Sequence, residues 1–157
     1  KKARELPSFE NMHNEIQLYY TIQCRYSFVF LDPHVSTHPV VSKRIRQLIQ
    51  QSIENYKISI AFAIQLENIK KEPVPGVYES LAFAVWMMIY YWLSQQVLRG
   101  EKIGFDAEKR VWGLMVPHMT QKGITSFKEF FGEAYYKELG VALETNLQKI
   151  APLNSHW

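Results

Sequence analysis

His34 and His38 stand four residues apart, the spacing at which two imidazoles on one helix face can share a metal ion. Pro33 and Pro39 flank the pair, so no helix is expected to carry both, and solvated loop histidines explain the spacing better than a metal site. His118 falls on an apolar stripe and reads as a core or interface histidine rather than a general base. Cys24, the single cysteine, lies in no pattern that makes a thiolate; it reads as a small buried hydrophobe or, alternatively, as a pocket thiol. Glu129 and Glu133 lie one helical turn apart, which suits a solvated face better than an acid/base pair. G-x-S-x-G, P-loop and G-x-G-x-x-G patterns are all missing. These residues predict neither enzymatic activity nor a cofactor nor a bound metal.

Nucleic-acid signals are equally thin. Lys43, Arg44 and Arg46 form one basic group and Lys1, Lys2 and Arg4 another, but no stacking aromatics interleave with them. The aromatics carry more information. Tyr19, Tyr20, Tyr26, Trp86, Tyr90, Tyr91 and Trp92 combine ring area with polar tips, as a bulky core or a ligand cavity between helices requires. Met87 and Met88 add side chains that adapt to a pocket or an interface.

The elements that must position these groups are helical. Residues 81–93 (LAFAVWMMIYYWL) are apolar or aromatic all round a helix, so that helix needs partners on more than one side. At about 1.5 Å per residue the run reaches roughly 20 Å, short of a bilayer core, and Glu79, Ser80, Ser94, Gln95 and Gln96 bracket it. No membrane partner is expected. Such a helix in a small domain packs into its own core on one face and onto a second subunit on the other. Around it, three- and four-residue spacings predict a first helix over residues 8–31, stopped by Asp32-Pro33. A second starts at Pro39, capped by Thr37 or His38, and runs to Ile69. Lys70 to Gly76 is a loop. The third helix spans 77–99, and Asp106 caps a fourth that Pro117 kinks and Gly123 closes. Ser126 and Glu129 form a capping box for a further helix ending near Gly140. A weaker helical stretch follows over 141–150, and residues 151–157 fray.

An apolar fraction of 47% and an aromatic share of 14% are enough for a sizeable core, and 157 residues suit one domain. A net charge of +3 permits an anionic partner without predicting one. With one cysteine and no apolar leader, the chain reads as soluble and cytoplasmic; without an initiating Met, it reads as a fragment.

Three stretches together resemble the C-terminal domain of TetR-type transcriptional regulators. Tyr26-Ser-Phe-Val-Phe-Leu-Asp32 with Pro39 resembles the Y-x-F-x-F-L-D…P pattern that ends the family's first ligand-domain helix. Val85-Trp86 and Tyr91-Trp92-Leu93-Ser94 are similar to its L-W…F-W-L-S, and Val116-Pro117-His118-Met119-Thr120 with Gly123 to its closing P-Y-L-T-x-x-G. Order and spacing agree over residues 16–123, whereas the family's N-terminal three-helix DNA-binding domain is absent from this sequence.

The resemblance implies an all-α antiparallel bundle of five to six helices that pairs as a homodimer through a four-helix interface built from 77–99 and 106–121. Residues 1–157 would form one ligand-binding and dimerisation domain, with 1–7 linker-like and 124–157 a C-terminal helical extension. It implies a repressor released when an unknown small-molecule effector, apolar or amphipathic, shifts the spacing of the DNA-binding heads; operator DNA would be met only through the missing N-terminal domain. Helical facing assigns Tyr20, Cys24, Phe62, Trp86, Met87 and Tyr90 to the cavity. It assigns Trp92, Gln96, Trp112, Met115 and Met119 to the dimer interface. The alternatives are a helical protein–protein adaptor with no small-molecule ligand and, more remotely, a small helical enzyme.

Overall fold

The apolar run becomes the axis of the fold, but as two helices rather than one. A computed structural model describes residues 9–104 and 106–140. Among them it shows α1 (Phe9–Arg25), α2 (Ser27–Leu31), α3 (Pro33–Thr37), α4 (Pro39–Gln65), α5 (Val77–Tyr90), α6 (Trp92–Leu98), α7 (Ala107–Met115), α8 (Gln121–Phe131) and α9 (Glu133–Lys137). A 3-10 turn over Val116–His118 follows α7. The described residues are all-α, with one isolated bridge between Ile69 and Met119. Helix α5 packs against α1, α4, α6 and α7. Its buried residues, Tyr78, Leu81, Ala82, Val85, Trp86 and Ile89, follow the three- and four-residue spacing of a core face. Phe83 and Met87, on the opposite side, are exposed.

More helices appear than the five to six expected, because the long ones break where side chains or backbone impose it. Gln23 sits at one of these breaks. Its Nε2–H donates to the Ile89 carbonyl at 2.6 Å, and its Oε1 accepts from the Leu93 N–H at 3.2 Å. Those two backbone groups would pair with each other in a continuous helix. The inserted amide satisfies both while α5 and α6 bend by 56° at Tyr91. Gly132 separates α8 from α9 with φ 91° and ψ 154°, a conformation open essentially to glycine alone. Tyr26 separates α1 from α2, and the turn seats Phe30 edge-on against Tyr90 at 5.5 Å.

Several sequence expectations are corrected. Residues 33–37 are a short helix, not a loop: Pro33 takes the first helical position and the Asp32 carboxylate accepts from the His34 N–H at 2.8 Å. His34 lies in α3 and His38 precedes α4, so they share no helix face. Helix α4 stops at Gln65 rather than Ile69. The Asn68 and Glu67 N–H groups bond the Ala63 and Ile64 carbonyls, the paired closure of a Schellman end, with Glu67 in the left-handed region at φ 59°. The helix expected to kink at Pro117 ends at Met115, and Pro117 sits in the 3-10 turn. Helix α8 opens at Gln121 under a Thr120 cap, so Gly123 lies in its first turn rather than closing a helix, and Ser126 is mid-helix rather than a cap. The linker-like residues 1–7, the helical stretch expected over 141–150 and the terminal residues lie outside the described residues.

Candidate functional site

A cavity of about 570 Å³ opens between α1, α4 and α5, with the loop after α4 at one end. Helix α1 contributes Phe9, Asn11, Met12 and Glu15, which lie on one face by their spacing. From α4 come Asn55, Tyr56, Ser59, Ile60, Phe62 and Ala63, again one broad face. Asn68 and Ile69 close the far end, Val85 and Met115 form the floor, and Ser126 reaches in from α8. The walls are mainly apolar and aromatic, with a few polar groups converging on the space, the composition expected of a small-molecule site.

Glu15 is the charged group of that lining, and burial pushes its carboxyl above its ordinary value. Burial, and then the Glu15 charge beside it, push the Tyr56 phenol up. Asn68 Oδ1 is buried without a hydrogen-bond partner among the described residues.

The end wall is held by backbone. Thr120 N–H donates to the Asn68 carbonyl at 3.0 Å, Lys70 N–H to the His118 carbonyl at 2.9 Å, and the Thr120 hydroxyl to the Glu67 carbonyl at 2.5 Å. The same hydroxyl oxygen caps α8 by accepting from the Gly123 N–H at 3.1 Å. Gly123 lies so close to this wall that a Cβ on it would meet the Asn68 carbonyl oxygen at 2.0 Å. The Pro117-His-Met-Thr120…Gly123 stretch is therefore the clamp that fixes Asn68 at the cavity's end.

A family model described as TetR, bacterial transcriptional repressor, matches residues 1–127, most of the chain. The chain belongs to the TetR family. No curated protein and no solved structure matches it.

In this TetR-family chain, Phe62 is the residue of the expected cavity set that lines the space. Trp86, one position from Val85, is buried instead in a ring cluster with Phe83, Tyr90 and Tyr91, its centroid 5.3 Å from that of Tyr90. Tyr90 is half-buried beneath Phe30, and Met87 is exposed. Cys24 is exposed on α1 rather than buried, next to Tyr20, whose phenol is pushed up by burial and by its bond to that thiol.

The expected interface residues turn inward. Trp112 is 1% exposed, and Met115 and Met119 are buried beside it in the core. Gln96 is buried and Trp92 half-buried; both donate to the Gly104 carbonyl, at 2.9 and 3.0 Å, and pin the loop after α6. Exposed apolar side chains of this region include Phe83, Met87 and Tyr91, spaced four residues apart, and Val97 and Leu98 on α6.

The residues missed are the polar ones. Asn11 and Glu15 on α1, and Asn55 and Ser59 on α4, interrupt otherwise apolar faces at four-residue spacing, a signal present in the sequence. Asn68 carried none, because its position depends on how α4 ends. Among the described residues no three His, Cys, Asp or Glu gather as a metal site, and no single helix is long and apolar enough to cross a membrane.

Proposed function

We propose that this chain is the effector-binding and dimerisation domain of a TetR-family repressor, released from its operator by a small apolar or amphipathic ligand. The cavity carries the reading: about 570 Å³ of mainly apolar space with Glu15, Asn55, Ser59 and Asn68 converging on it. Helix α1 is the element through which occupancy would act. One face of it lines the cavity, and another is anchored to α7, where His13 Nδ1–H and Gln17 Nε2–H donate to the Glu108 carboxylate at 2.6 and 3.1 Å. A ligand that fits one position of α1 better than another shifts the population between them. In a dimer that shift changes the spacing of two DNA-binding heads. Phe83, Met87 and Tyr91 on α5 and its end offer the partner an apolar ridge, in place of the interior residues that helical facing selects. Operator contact falls to the family's N-terminal three-helix domain.

Native mass spectrometry of the purified chain tests this reading. A species at twice 18.5 kDa, carrying added small-molecule mass, is expected. A bare monomer at micromolar concentration contradicts it and favours a helical adaptor.

A further inference from the structure

We infer that the cavity selects effectors with a cationic, hydrogen-bond-donating head, a protonated amine or amidine on an apolar body, received by the Glu15 carboxylate. This rests on reading the cavity as the effector site. The first observation is charge: Glu15 lines the cavity, and among the described residues no Lys, Arg or His does. No described residue forms an ion pair or hydrogen bond with its carboxylate. Burial already makes that carboxyl hold its proton more tightly than it would in water, so a bound cation offsets a cost that the folded chain carries alone.

The second observation is the aromatic lining. Phe9, Tyr56 and Phe62 present rings to the space, and ring faces attract cations and repel anions. A carboxylate ligand meets a like charge and, among the described residues lining the space, no counter-charge; a neutral apolar ligand leaves the Glu15 carboxylate without one.

Three probes sharing one fluorophore test the assignment: dansylcadaverine (ammonium), dansylamide (neutral) and dansylglycine (carboxylate), each titrated into the full chain and followed by dansyl emission. Dansylcadaverine is expected to bind about tenfold more tightly than dansylamide, as one charge-assisted hydrogen bond allows, with dansylglycine weakest. Glu15→Gln is expected to abolish the preference, with helical circular dichroism unchanged to show that the variant is folded. Dansylamide binding with no preference for the ammonium in the wild-type chain overturns the inference and leaves the cavity reading standing. A preference that survives Glu15→Gln unchanged overturns the assignment to Glu15. Failure of all three probes to bind overturns the cavity reading and the inference with it.

Discussion

Two glutamates, one packed against helix α1 and one on it, meet opposite fates. Glu108 on α7 is 5% exposed, and its carboxylate accepts from His13, Gln17 and the Trp112 Nε1–H. Three donors converge on it, so its burial is compensated and the group acts as a rivet between α1 and α7. Glu15 lies on α1 itself, partly buried at the cavity and without a described hydrogen-bond or ion-pair partner; its carboxyl is held above its ordinary value. The satisfied charge builds the fold. The other has no described partner, and its burial is a cost to the fold that a bound cation would offset under the proposed function.

Substitution separates the structural groups from the cavity groups. Glu108→Ala should have the largest effect, a loss of about 3 kcal/mol in urea unfolding, because three donors lose their acceptor; a loss within error would make Glu108 no rivet. Gln23→Leu should follow, at about 2 kcal/mol, since the Ile89 carbonyl and the Leu93 N–H are then buried unpaired. Near-wild-type stability there would show that the α5–α6 bend does not depend on the inserted amide.

On the cavity side the signs reverse. Glu67→Gly should stabilise the chain by about 1 kcal/mol, because a glutamate there adopts the left-handed conformation that glycine takes without strain. Glu15→Gln should give the smallest change, a modest rise in Tm at neutral pH. The Glu15 carboxyl holds its proton more tightly in the folded than in the unfolded chain. Its contribution therefore costs nothing below the ordinary value of 4.5 and grows as pH rises through the raised one. The Tm gain of the variant should accordingly vanish in acid below that value. A gain persisting unchanged there would assign it to packing rather than charge.

Much of this was legible in the sequence. The all-α class followed from helical periodicity and the absence of alternating runs, and the family from Tyr26–Asp32, Val85–Leu93 and Pro117–Gly123. Element boundaries were less legible, because each break depends on a distant partner. Nothing near Tyr91 announces that Gln23, far back in the chain, splits the helix there. The capping-box pattern at Ser126 misled because Thr120, held by the Glu67 carbonyl, caps the helix earlier. The site was the least legible. Aromatic residues drew attention to Trp86 and Tyr90, yet their rings pack on one another. Polar residues breaking an apolar face, Glu15 and Ser59, were the better pointers.

The proposed function requires that the space beside Glu15 and Ser59 take up a small molecule. The direct measurement is a titration of the neutral probe dansylamide into the wild-type chain and into Ser59→Trp, which places an indole in the cavity from a half-buried helix position. We predict saturable binding to the wild-type chain and at least a tenfold loss in the variant, with helical circular dichroism unchanged. Equal affinity for the two chains would place the probe elsewhere and contradict the claim.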